Sequence, residues 1–242
     1  MANPVALNNI AHKDLRIVRQ HTPALNESLM ITLALPFEFR RLQHEYPIVF
    51  YKDEQKQSFH AVALLGLQQN ENLYLTEAGW DASYVPLMIE RQPFLIGMRG
   101  PDEQGESQPV LLVDLDSPKV SEVEGEPLFL PHGGHSEYLQ QVTNILNAIR
   151  EREAETAAFH QALIEHDLLE SFFLDISLDD TDKHRLAGYY TINEDKLREL
   201  EDSAVLRLHH SGMLQLIHFV LASQANFAGL IERKRAQVGA SS

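Results

Sequence analysis

The residues best suited to chemistry in this sequence are its histidines, 12 in 242 residues. His132 and His135, with Glu137 close by, offer two imidazoles and a carboxylate of the kind that can share one metal ion. Gly133 and Gly134 between them predict a flexible loop at a helix entry, and no H-E-x-x-H pattern accompanies it. His209, His210 and His218 form a second set. His210 and His218 could share a helix face only if one helix ran through Gly212, and the apolar run around His218 predicts a core histidine bonded to a neighbour. Asp175, Asp179, Asp180 and Asp182 have the composition of a calcium loop but lack the D-x-[DN]-x-[DN]-G pattern, which predicts a solvated turn. Glu38 and Asp114 are carboxylates beside apolar runs, with nothing in their spacing to pair them as acid and base.

A different kind of site is suggested by Trp80-Asp81-Ala82-Ser83-Tyr84-Val85-Pro86 and the following Glu90-Arg91-Gln92-Pro93-Phe94. These segments bring together the sole tryptophan, Tyr84, Arg91 and Phe94. Trp, Tyr and Arg dominate interface energetics because they bury large areas while keeping a polar handle. Trp80, Tyr84, Arg91 and Phe94 are therefore the candidate binding residues. The alternative is that Trp80 and Phe94 anchor a core and Arg91 pairs with a local carboxylate. The glycine-rich phosphate loops and the G-x-S-x-G elbow are absent, and the sequence assigns no cofactor.

Composition limits the classes further. Hydrophobic residues make up 44% and charged residues 23%, ordinary globular usage, so wholesale disorder is excluded. The absence of cysteine excludes disulfides, thiolate metal sites and cysteine nucleophiles. A formal charge of −15 repels phosphate backbones, and no basic stripe with interleaved aromatics offsets it, which argues against nucleic acid as a partner. Residues 1–20 lack the apolar core of a secretion signal. The most apolar window, Met213 to Ala222, is interrupted by Gln215 and His218 and is too short for a span, which predicts a buried helix and a cytoplasmic chain. Arg233-Lys234-Arg235 is expected at the end of a final helix, against the negative end of its dipole.

The elements that must position these residues change character along the chain. Strands are expected at Tyr46 to Tyr51, Phe59 to Leu67 and Leu73 to Leu75. Pro93 to Met98 and Val110 to Leu115 are expected to form a hairpin around the polar loop from Arg99 to Glu106. Short helices are expected after Pro36 and Pro86. Near residue 131 the pattern turns helical. Ser136 caps a helix whose apolar face is Tyr138, Val142, Ile145 and Ile149, continuing as one helix or two to Glu165. Phe172 to Leu178 and Leu186 to Ile192 predict a further strand pair. Asn193 then caps a helix through Leu206, and a last helix starts near Gly212. The fold class is α+β, mostly antiparallel β in the first half and helix-rich in the second. It is read as a single domain, 1–242, with a subdivision near 130 between a β-rich part (31–130) and a helix-rich part (131–235).

Several segments, taken in order, resemble the SapC family of bacterial proteins. They are Tyr46-Pro47-Ile48-Val49-Phe50, Leu64-Leu65-Gly66-Leu67, Asn72-Leu73-Tyr74-Leu75, Trp80-x-x-x-Tyr84-Val85-Pro86, Arg91-x-Pro93-Phe94, Gly125-x-Pro127-Leu128-Phe129, Gly188-Tyr189-Tyr190-x-Ile192 and Ser211-Gly212-Met213-Leu214. The resemblance carries no catalytic motif. It implies an association with surface layers and neighbours such as flavin-dependent halogenase-like and cupin-like proteins. Three readings follow: an accessory protein that binds a protein or peptide partner, a metal-dependent enzyme using the histidines, and a surface-layer component. A homo-oligomer is compatible with each.

Overall fold

The computed structural model describes residues 3–25, 27–56, 58–100, 108–177 and 183–240. Most of the polar loop from Arg99 to Glu106 and the aspartates at 179, 180 and 182 lie outside them. Contacts gather the chain into two units that interleave in sequence. The first comprises Met1–Glu27, Thr76–Trp80 and Leu87–Glu151, and the second Ser28–Leu75, Asp81–Pro86 and Arg152–Ser242. The composition change near residue 130 and this grouping follow different lines, because contacts join segments that lie far apart in sequence.

The fold is α+β, with antiparallel sheets mostly in the first half and helices in the second. In the first unit, strands Pro4–Ala6, Pro109–Asp114 and Phe94–Met98 form one antiparallel sheet. Arg16–Ile17 pairs with both Val120–Ser121 and Glu126–Pro127 in a second. Helix Glu137–Glu151 starts where the Ser136 hydroxyl accepts the Leu139 N–H at 3.1 Å, the expected cap. It buries Tyr138, Leu139, Val142 and Leu146, a face turned from the expected one, since Ile145 and Ile149 are only half-buried. With Ile17, Phe94, Val113 and Leu128 they form the unit's apolar core. Gly125 (φ +95°) is forced by close approach, because a Cβ there would lie 2.3 Å from the Ile17 carbonyl oxygen.

The second unit holds a five-stranded antiparallel sheet in the order Leu169–Ser177, Lys183–Ile192, Ile48–Asp53, Ser58–Leu64, Ile31–Leu33. Of the strand expected at Leu73 to Leu75, Leu73 and Tyr74 form a turn, where the Asn72 side chain accepts the Tyr74 N–H at 3.1 Å, and the strand begins only at Leu75. The helical stretch breaks at Arg152, giving Glu137–Glu151 and Glu153–Glu165 in different units. Asn193 caps Glu194–Arg198 as expected, but a separate helix, Asp202–His210, follows. The last helix comes as Met213–Ser223 and Asn226–Ala240. By length and composition the stretch Met213–Gly239 could cross a membrane, with 22% of its most apolar window buried. Ile217, Val220, Ser223 and Leu230 are buried, while His218 is exposed and not in the core: it points away from the face those residues pack. The basic triplet is likewise not at a helix end. Lys234 is buried and pairs with Glu71 at 2.5 Å, and Arg233 pairs with Asp81 and lies 4.5 Å from the Tyr74 ring centre, so both fasten the helix within the unit.

Candidate binding site

The expected aromatic–arginine segment divides between the units. Trp80, Arg91 and Phe94 belong to the first and Tyr84 to the second. Phe94 has no exposed surface and packs against the Tyr138 ring, with centroids 6.3 Å apart. Arg91 is half-buried and donates to the Phe94 carbonyl at 2.6 Å. In the second unit the Tyr84 hydroxyl donates to Glu38 at 2.8 Å, and Arg41 lies over the Tyr84 ring. Glu38 also accepts the Leu35 N–H, so it serves as a local cap; Asp114, in the first unit, accepts the Asn3 N–H at 2.7 Å.

Trp80 leads to a group of charged residues that sequence reasoning missed. Its ring meets His21 edge-on at 5.7 Å, with the planes at 73°. Nδ1 of His21 lies 2.9 Å from both carboxylate oxygens of Glu27, and Nε2 lies 3.3 Å from Glu90. Glu27 and Lys119 are almost wholly buried and pair at 2.5 Å. Arg19 reaches Glu90 at 3.6 Å and lies over the Tyr138 ring at 5.1 Å. Burial alone would lower the His21 pKa, but its bonds to Glu27 and Glu90 outweigh that and raise it. The same His21 bond holds Glu90 below its usual value. Both imidazole nitrogens therefore face carboxylates and favour the imidazolium. The space bounded by Arg19, His21, Glu90, Gln92, Lys119 and Tyr138 is about 10 Å³, at the lower limit for one water. The group is an ion network, buried at Glu27 and Lys119 and reaching solvent at Arg19 and Glu90.

A larger opening lies in the same unit. It is a cleft of about 670 Å³ lined by residues of three loops, among them Asn9, Lys13 and Arg16, Glu122, and Phe129, Leu130 and Gly133. Ile10 and Val123, next in sequence to Asn9 and Glu122, are 83% and 84% exposed, and Leu130 is 52% exposed. The walls are tied to each other. Asn9 donates to the Gly133 carbonyl at 3.1 Å, and Arg16 donates to the Gly125 carbonyl at 2.8 Å. Gly133 and Gly134 lie in a hydrogen-bonded turn. Gly133 takes φ +82°, and the Leu130 and Gly134 backbones close a turn at 2.7 Å.

His132 and His135 are exposed on this loop, as is Glu137 at the start of the helix. His209 and His210 are exposed, and Gly212 (φ +76°) ends their helix, so His210 and His218 lie on different helices. Among the described residues, no three His, Asp or Glu side chains converge as a metal site. Asp175 pairs with Arg185 at 3.0 Å. The ion network gave no sequence signal, because His21, Glu27, Glu90 and Lys119 share no periodicity or motif. Trp80, beside His21, was the single pointer to it.

Fold and site together define an α+β protein with an ion-paired interior and an open, loop-walled cleft in one of its two units. The chain belongs to the SapC family, whose model matches residues 7–230 of the 242. No curated protein and no solved structure matches it.

Proposed function

We propose that this SapC-family chain is a cytoplasmic accessory protein that binds a protein or peptide partner through the loop-walled cleft of its first unit. The observation that carries this reading is a cleft lined by Pro127, Phe129 and exposed Leu130, with exposed Ile10 and Val123 next in sequence to its lining residues Asn9 and Glu122 and with Asn9 tied to the Gly133 carbonyl. Large apolar side chains clustered at a polar-rimmed concavity favour contact with another polypeptide. The lining charges, Lys13 and Arg16 against Asp14 and Glu122, balance one another, which suits a partner without strong charge of either sign. For the Met213–Gly239 stretch, packing within the second unit is favoured over lipid. Ser223 accepts the Ile48 N–H at 2.9 Å, Gln224 donates to the Ile48 carbonyl at 3.0 Å, and Lys234 is paired internally.

The flavin-dependent halogenase-like and cupin-like proteins implied as family neighbours are the first partners to try. Each is mixed with the purified chain and followed by native mass spectrometry and calorimetry. The expected result is a complex whose affinity falls about tenfold or more on Ile10→Asp with Leu130→Asp. Loss of binding on Trp80→Ala or Arg91→Ala, with the rim variants unchanged, moves the contact to the aromatic segment. The absence of any complex with either protein overturns the reading.

A further inference from the structure

Arg16 sits on the floor of the first unit's cleft. In the small sheet it stands opposite Ser121 on one neighbouring strand and Pro127 on the other. Cross-strand partners share a face and successive residues alternate, so Arg16 and Pro127 lie on the face away from the wholly buried Ile17. Both line the cleft, and so do Phe129 and Leu130. Arg16 therefore lies beside an apolar strip.

Its guanidinium is half-buried and held in place, but it is not neutralised. Nη1 donates to the Gly125 carbonyl at 2.8 Å, and Gly125 comes that close to the Arg16–Ile17 strand only because it lacks a Cβ. Among the described residues Arg16 has no ion-pair partner. Asp14 lines the same cleft but pairs with Lys13, at 3.8 Å. By contrast, Arg19 pairs with Glu90 and Lys119 with Glu27. The remaining N–H donors of Arg16 suit a planar acceptor such as a carboxylate.

We infer that Arg16 receives a side-chain carboxylate of the partner, an aspartate or glutamate whose apolar neighbours lie on Pro127, Phe129 and Leu130. This rests on the cleft being the surface that the partner occupies. The loops favour a side chain over a chain end. A terminal carboxylate is captured by a nest of free backbone N–H groups. Around this cleft Ile10 and Ala11 already donate to Asn8 Oδ1, Val123 and Glu124 donate to Ser121 Oγ, and Leu130 and Gly133 close their own turn. The lining also favours a carboxylate over a phosphate, because Asp14 and Glu122 repel a dianion more strongly than a monoanion. A single carboxylate suits a lining whose charges balance, since it adds one charge and places it beside Arg16.

The test titrates the full chain with fluorescein-labelled hexapeptides, blocked at both ends, that carry Glu, Gln, Lys or phosphoserine among leucines. Binding is read by fluorescence anisotropy. The Glu peptide should bind roughly three- to tenfold tighter than the Gln peptide, by a ratio that falls as salt is raised. Arg16→Gln should bring that ratio to about one without changing the affinity of the Gln peptide. Arg16→Glu should reverse the order in favour of the Lys peptide, which a general loss of folding does not do. The comparison of Glu with Gln uses the unaltered chain and so holds even where an Arg16 variant folds poorly. Ile10→Ser with Leu130→Ser should weaken every peptide. If those rim variants weaken binding but Glu and Gln peptides bind alike, the carboxylate assignment is overturned and the cleft reading survives. Peptide binding that the rim variants leave unchanged overturns both. A phosphoserine peptide that binds tighter than the Glu peptide, or a Glu peptide that does not bind at millimolar concentration, overturns the carboxylate assignment alone.

Discussion

In the first unit, His21 lies between Glu27 and Glu90 with Lys119 behind it. In the second, His160 lies among Phe50, Phe159 and His60, and its Nε2 accepts the Ala61 N–H at 3.3 Å. Carboxylates on both nitrogens raise the pKa of the first ring. Burial, with a smaller contribution from nearby His60, lowers the second to about 4. The two rings show that burial alone does not set the charge of a histidine: the groups that replace its water do. They also show two ways of building an interior. One is held by matched ions, which are costly to break singly, and the other by aromatic packing.

The sharpest way to break the comparison is to remove one member of each interior. Lys119→Ala removes the buried ammonium paired with Glu27, leaving that carboxylate its bonds to His21, and should cost about 3–5 kcal/mol in denaturant unfolding. Phe159→Ala opens a cavity beside Phe39 and Phe50 and should cost a similar ~3–5 kcal/mol. The two losses differ in how they are repaired. Combining Lys119→Met with Glu27→Gln should recover much of the first, because both charges are then gone. If the double variant is as unstable as Lys119→Ala alone, the network is not an ion pair in the sense argued here.

The pH dependence comes next in size. His160 has its folded pKa below the unfolded value of 6.5, so the stability it contributes is present above pH 6.5 and lost as pH falls toward about 4. At about 1.4 kcal/mol per unit, and with part of the ring near solvent, this is on the order of 2–3 kcal/mol. His160→Gln should flatten that acid limb of the unfolding curve. His21 has the opposite sign. Its folded pKa lies above the unfolded one, so its contribution is full below pH 6.5 and lost as pH rises through the folded value. His21→Gln should flatten the alkaline side and leave the acid limb intact. One variant altering both limbs would break the separation between the two rings. The smallest stability effect is expected at the cleft rim, where Ile10→Asp should change unfolding by no more than about 0.5 kcal/mol. A larger change would mean that Ile10 is packed in solution and is not available to a partner.

Much of the local structure was legible in the residues. Ser136 and Asn193 announced their helices because a hydroxyl or amide oxygen satisfies orphan N–H groups through contacts a few residues long. The two strand pairs were visible as apolar runs on either side of polar loops. The misreadings share one cause. His218 looked like core because its neighbours are apolar, yet the packed face passes through Ile217 and Val220. Arg233-Lys234-Arg235 looked like a helix end, but its partners Asp81 and Glu71 lie more than 150 residues earlier in the chain.

The sequence by itself determined the fold class, the family and the absence of cysteine chemistry, because these depend on composition, periodicity and ordered motifs. It also marked Trp80 by residue type. Only the tertiary structure placed His21 between Glu27 and Glu90, joined Lys119 to them, and gathered three loops into one cleft. Charges and rims of this kind meet across large sequence separations. Their energies come from burial and mutual distance, and neither is written in the order of the residues.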